Sequence, residues 1–401
     1  MAYQKAPMLY IYKLSASTAG AALLIRTYVG MCEQYTSLLW DVEYYTVGSF
    51  EVYLPARSDT LELFQTGYLL VREDDAENHG VIESVSITYD SENGSYAAIS
   101  GRFLPSLLER RVIYPTVSTV GLGITKVYGA FALAVLALNG AEHYSGNYSA
   151  IFGEDNAENY SVDSSRVIPG ATLNTTYTNA WTRSISEDNT SGDMQVTDDN
   201  LMEWAYKIAE RVGGTIKATL TSFDAQIAPN IKFTLSEGED RRDSVIFSDT
   251  VNNLAALSYG ESTADAVTAV YARFSIEEGT SYAILFPQSN VPTGFERYEA
   301  TIELEDVDTT GYSAPEGAYL AAGASKYVGK LNSGTYAAEA EVVPDVQYTY
   351  GEDYNVGDIV TIQYSQLGIS LAARLTGMIE SFDQSGRTLT PTFSFLDDEE
   401  E

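Results

Sequence analysis

Cysteine, histidine and basic residues are the scarce ones in this chain of 401 residues. The single cysteine, Cys32, rules out an intrachain disulfide. With only two histidines, His79 and His143, far apart in sequence, no structural zinc set can be assembled either. Lysine and arginine together number 23 against 56 acids, a formal net charge of −33. Neutralising phosphates takes a basic face and none is visible, so the composition does not suit a general nucleic-acid binder. A surface that faces DNA without holding it takes this sign of charge. Long apolar runs are missing too: the most hydrophobic segment, residues 130–138, falls well short of the ~20 residues that cross a bilayer. Lys5 is followed by Pro7 and then by alternating polar and apolar residues, which is no signal peptide, so synthesis and folding in a cytoplasm are expected.

What is abundant belongs to a folded β-protein. Hydrophobic residues make up 45% and charged ones 20%, which places the chain among folded rather than disordered acidic proteins. Tyrosine, at 30, outnumbers phenylalanine (14) and tryptophan (3) together. Its ring can be half buried while its hydroxyl stays wet, which suits long strands and extended subunit interfaces. The length allows two to four domains, each with its own core.

The pattern predicts a mainly β, α+β chain of several domains. Residues 1–114 read as a barrel-like β-domain of short alternating strands, with a hairpin at Asp90-Ser91-Glu92-Asn93-Gly94, where Asn-Gly supplies positive φ angles. Residues 103–111 read as a short helix that tolerates Pro105 in its first turn. Residues 115–214 form an irregular α+β insertion. It holds a buried apolar helix over 124–138, an Asn/Ser/Tyr/Asp-rich stretch, and a helix with caps at Asp198-Asp199-Asn200. That last helix puts Leu201, Trp204, Ala205, Ile208 and Val212 on one face and stops at Gly213-Gly214. Strands of a second barrel-like domain follow over 215–275, the insertion continues over 276–340 with an Ala-rich helical stretch at 315–331, and 341–396 completes the second barrel. Residues 397–401, all acidic, read as a solvated tail.

Catalytic signals are thin. His79 after Asp74-Asp75-x-Glu77 reads as a solvated turn with an incidental histidine, and His143 beside Glu142 likewise. Cys32 has no histidine nearby and reads as an inert thiol. Glu237-x-Glu239-Asp240 with Asp243 offers carboxylates for calcium, but the spacing is not that of a calcium loop and Arg241 and Arg242 offset the charge. A charged hairpin is the better reading. Gly121-x-Gly123 lacks the phosphate-loop continuation and reads as a turn. No catalytic, cofactor or metal residues are assigned, and the chain is not expected to be an enzyme.

The most specific pattern is an ordered series. It runs through Gly48-x-Phe50-Glu51-Val52-x-Leu54-Pro55, then Gly67-Tyr68-Leu69-Leu70-Val71 and Gly80-Val81-Ile82-Glu83-Ser84-Val85. Next come Ser100-Gly101-Arg102-x-Leu104 and Leu107-Leu108-Glu109-Arg110-Arg111-Val112-Ile113. Gly238-Glu239-Asp240-Arg241-Arg242-Asp243 and Tyr354-Asn355-Val356-Gly357-Asp358-Ile359-Val360 complete it. The series resembles the tail-hub or tail-associated proteins of long-tailed phages, which are similar to the baseplate hub of contractile phages. The stretches 114–197 and 279–341 match poorly.

The resemblance implies a homotrimeric ring at the tail tip of a virion, assembled in the host cytoplasm. Two barrel-like domains per subunit would then adapt a six-fold tube to a three-fold tip and form part of the DNA-ejection channel. Implied partners are the distal-tail or tail-tube ring, the tape measure protein, downstream tip or receptor-binding proteins, and DNA in transit without specific binding. Arg102, Arg110 and Arg111, basic residues gathered in an acidic chain, are candidates for a subunit interface, or else pair with Glu109 and nearby acids. The alternative reading is a secreted or surface β-rich glycan-binding or wall-degrading protein.

Overall fold

The computed structural model describes residues 6–16, 24–92, 94–122, 125–142, 163, 165–189, 191–221, 230–277, 280–332, 335–342 and 346–396. His143 and the acidic run 397–401 lie outside them, as do Asn93 of the hairpin and Gly123.

Seven antiparallel strands make an N-terminal lobe: β1 (Leu9–Ala16), β2 (Leu24–Cys32), β3 (Ser37–Glu43), β4 (Ser49–Pro55), β5 (Leu69–Arg72), β6 (His79–Asp90) and β7 (Gly94–Phe103). They lie in the order β3-β4-β7-β6-β5-β1-β2. In β4 the side chains alternate, with Phe50, Val52 and Leu54 buried and Glu51 and Tyr53 turned outward. That period of two makes one face of the sheet a core. The hairpin predicted at 90–94 joins β6 to β7, with Asp90 opposite Gly94 and Gly94 at φ +83°.

The middle of the chain contributes β8 (Val117–Ser118), β9 (Ala171–Leu173), β10 (Gln195–Val196), β11 (Thr215–Thr221) and β12 (Asn230–Ser236). A C-terminal lobe is built from β13 (Ile246–Ser248), β14 (Leu254–Ser262), β18 (Thr335–Val342), β19 (Ile359–Tyr364), β20 (Ile369–Asp383) and β21 (Gly386–Phe395). Between β14 and β18 in the chain come β15 (Ala269–Glu277), β16 (Thr280–Phe286) and β17 (Glu299–Glu303), which form their own three-stranded sheet. Strands of the stretch 215–275 are thus shared among three sheets: β11 and β12 join β9, β13 and β14 join the C-terminal lobe, and β15 joins β16 and β17.

The two lobes are one continuous sheet of 13 strands. β20 pairs antiparallel with β3, from Gly377 opposite Glu43 to Phe382 opposite Leu38. Each lobe also sends an aromatic ring across the seam: Phe382 of β20 packs in the N-terminal core, and Tyr44, just past β3, packs in the C-terminal one. The mainly β class with some helix is as expected. Among the described residues the sheet is open, ending at β14 and β2, rather than closed into a barrel.

Among the described residues, three helices of nine residues or more cover the middle, beside a short one at Thr119–Leu122. α1 (Tyr128–Leu136) is buried almost all round, as its uninterrupted apolar sequence requires. It begins later than the sequence suggests because Val127 is extended and Tyr128 N donates to Arg183 O. α2 (Leu201–Val212) follows its signals closely: Asn200 accepts from Met202 N and Glu203 N, and Gly213 ends the helix at φ +72°. α3 (Pro315–Val328) packs on β15 and β16, where Gly323 lets the Phe286 ring approach. The predicted helix at 103–111 is a tighter coil with three residues per turn, Leu104–Arg110.

Candidate functional site: a clasp between the lobes

The two late motifs of the ordered series meet in space. Asp358, only 3% exposed, accepts from Glu239 N (2.7 Å) and Asn355 N (2.9 Å) and takes Arg241 Nε at 2.9 Å. Ile359 N donates to Glu239 O and Arg241 N returns a bond to Ile359 O, so the two segments are laced by backbone as well. Carboxylates that accept several N–H groups hold such turns firmly, because each bond is charge-assisted.

Both glycines are needed for contact. A Cβ on Gly238 would stand 2.0 Å from Gly357 O, and one on Gly357 would stand 2.3 Å from the Tyr44 ring. Gly357 is also at φ +105°, a region that side chains rarely enter. Tyr44 is the third partner: its hydroxyl donates to Gly213 O (3.0 Å) and accepts from Gly238 N (3.1 Å), and Thr215 Oγ1 donates to Tyr44 O. The guanidinium of Arg374 lies 5.3 Å from the Tyr44 ring centre and donates to Gly357 O at 2.8 Å. N-terminal lobe, middle and C-terminal lobe are thereby fastened at one point.

A second link lies further along the seam. Buried Glu380 of β20 holds both Arg72 of β5 and Arg387 of β21, and Arg72 also reaches Asp74 at 2.7 Å. Trp40 lies under the Arg72 guanidinium, 5.1 Å from it, and donates its indole N–H to Asp75. Asp75 further accepts from Glu77 N and Asn78 N, which closes the turn predicted before His79. His79 itself is fully buried at the start of β6, opposite Val71, and burial pushes its pKa down. The solvated reading of this histidine is therefore corrected: the turn is local, but strand pairing carries its next residue inward.

Beside the clasp, Glu43 lines a cavity of about 70 Å³ with Glu77, Lys217 and Tyr350. Burial, and then the charge and hydrogen bond of Asp41 on the same strand, push the Glu43 carboxyl up to about 7.

The three arginines singled out from sequence fall at one corner, in different settings. Arg102 grips Glu83 with two bonds, 2.8 and 3.0 Å, and also bonds Glu109, which lowers the Glu109 pKa. Glu83 is free to face it because a bulge between Ile82 and Ser84 interrupts the β6–β7 pairing there. Among the described residues Arg111 donates to backbone, to Arg166 O and Arg110 O. Arg110 is exposed.

The acidic group at 237–243 is charged as read but is not a hairpin: β12 before it and β13 after it lie in different sheets, and Asp240 bridges Ile359 instead. Arg242 pairs with Asp240, Arg241 with Glu239, and Glu237 accepts from Ala180 N. Among the described residues no three His, Cys, Asp or Glu side chains converge for a metal ion. Cys32 is buried, and burial pushes its thiol up. Tyr44, Arg374, Arg72 and Glu380 escaped the sequence reading. Glu380 had a signal: it shares the inward parity of Met378 and Phe382, and a charge on the core side of a strand needs a buried partner.

The sequence profile of the Siphovirus ReqiPepy6 Gp37-like proteins matches residues 26–393. The chain belongs to that family, a tail-protein family of long-tailed phages. Among solved structures, the tail protein from Neisseria meningitidis MC58 is 13% identical with TM-score 0.48, over 98% of this chain and 97% of that one. The 43 kDa tail protein of prophage MuSo2 from Shewanella oneidensis is 11% identical with TM-score 0.46, over 96% and 98%. Prophage tail protein gp18 from Listeria monocytogenes EGD-e is 9% identical with TM-score 0.41, over 99% and 96%. No curated protein matches.

Proposed function

We propose that this chain is a structural hub protein at the distal tip of a phage tail. Three copies form a ring that adapts the six-fold tail tube to a three-fold tip and lines part of the DNA-ejection channel. The observation that carries the reading is the pair of β-lobes joined at one strand seam, since two β-units per subunit place six around a three-fold axis. The net charge of −33 agrees with a channel through which DNA slides without adhering. Arg110 and Arg111 face the neighbouring subunit in this reading, while Arg102 braces their corner through Glu83 and Glu109. The ring sits between the distal-tail or tail-tube ring on one side and downstream tip or receptor-binding proteins on the other, and also meets the tape measure protein.

The position is tested by gold-labelled antibody against this chain on intact virions. Label confined to the end of the tail away from the head is expected. Label along the tube or on the capsid would refute the tip assignment.

A further inference from the structure

In a chain with 56 acids and 23 bases, a group of guanidinium ions that form no ion pair among the described residues stands out. Among the described residues Arg110, Arg111 and Arg166 form no ion pair. Arg111 donates to Arg166 O and Arg110 O, and Arg166 donates to Tyr114 O, Val112 O and Asn139 Oδ1. Of the described acids nearby, Glu109 is bonded to Arg102 and Asp163 accepts from Ser165 N and Oγ, while the charges of Arg110 and Arg166 act on them without a direct bond. Burial first, and then the charges of Arg166 and Arg110, lower the Arg111 pKa. Beside the cluster Val112 and Tyr114 are 54% and 63% exposed, and a cavity of about 210 Å³ opens between Arg110, Arg111, Leu107, Leu24 and Ile168.

Two copies of a chain at −33 repel, so they meet most favourably where one presents positive charge. The densest negative segment is 397–401, five carboxylates in succession. We infer that the surface of Arg110, Arg111 and Arg166, flanked by Val112 and Tyr114, is the docking site for the acidic run 397–401 of a neighbouring copy. This rests on the reading of the chain as a self-assembling ring.

The chain's own run is the other occupant that the charge would suit, and the isotope mixing below separates the two.

The test uses the full chain carrying Arg110→Lys, which keeps the charge and supplies an amine. A carbodiimide then couples it at zero length to any carboxylate in contact. Copies labelled with nitrogen-15 and unlabelled copies are mixed equally. Cross-linked peptides joining residue 110 to the 397–401 run are expected, with mixed-isotope pairs among them. In parallel, Arg110→Glu should weaken assembly about tenfold at low salt, with the difference fading as salt rises. Coupling of residue 110 only to other acids, to 143–162 for instance, or only unmixed pairs, would overturn the inference. If that happens while light scattering still reports an assembly, the ring reading survives and only this docking falls. If no assembly forms at all, the ring reading falls with it.

Discussion

Replacing Asp358 by alanine should be among the most damaging single changes in this chain. It orphans the amides of Glu239 and Asn355 inside the clasp and removes one carboxylate from Arg241, which keeps Glu239 at 2.9 Å. Hydrogen bonds to a charged acceptor contribute about 1.5–3 kcal/mol each, and unpaired buried donors cost about 1–3 kcal/mol. These terms overlap, so the net loss should be about 3–5 kcal/mol. Asp358→Asn keeps one oxygen for Glu239 N but turns an NH₂ group toward Asn355 N–H and Arg241, two donors, and should cost about 2 kcal/mol. A chain with three cores need not unfold in one step, so the loss is best read locally. Amide hydrogen exchange at Glu239, Asn355 and Ile359, followed alongside the urea midpoint, is the assay. Alanine and asparagine variants both within about 0.5 kcal/mol of the parent, with those amides as protected as before, would refute the clasp as a stabilising unit.

Further expectations follow from the same geometry. Gly357→Ala meets both the Tyr44 ring and an unfavourable φ, and should lower the urea midpoint by more than Gly94→Ala at an open hairpin tip; equal effects would sink the close-contact argument. Glu380→Ala removes the carboxylate that Arg72 and Arg387 share, leaving Arg72 only Asp74, and should destabilise by about 3–5 kcal/mol, measured by denaturation. Glu43 carries a folded-state pKa of about 7, above its ordinary 4.5, so the folded chain binds the extra proton. Its contribution is full below about 4.5 and is lost as pH rises through about 7. The urea midpoint should accordingly decline across that window, and less steeply in Glu43→Gln; identical pH profiles would refute the assignment.

Much of the architecture was legible in local pattern. The hairpin at Gly94, the capped helix from Asn200 to Gly213 and the alternation of Phe50, Val52 and Leu54 each follow from neighbours in sequence. β14 was not legible, because Leu-Ala-Ala-Leu-Ser-Tyr-Gly-Glu-Ser has neither β-branched residues nor a strict period of two, and its pairing with β18 decides its state. The motif around Gly357 and Asp358 was visible as a turn, yet its meaning lies in Tyr44 and Gly238, partners 194 residues apart. Arg102 shows the same limit from the other side: a bulge at Glu83 supplies a partner that no spacing rule foretells. Local chemistry wrote the turns and strands, and long-range register decided which of them touch.

The central claim is that this chain assembles with itself into a ring of three. Its most direct test is the mass in solution by light scattering over a concentration series, alone and with the cognate tail-tube protein. The account predicts a species of about three times 43.7 kDa in at least one of these conditions. A monomer at every concentration, with and without the tube protein, would contradict it.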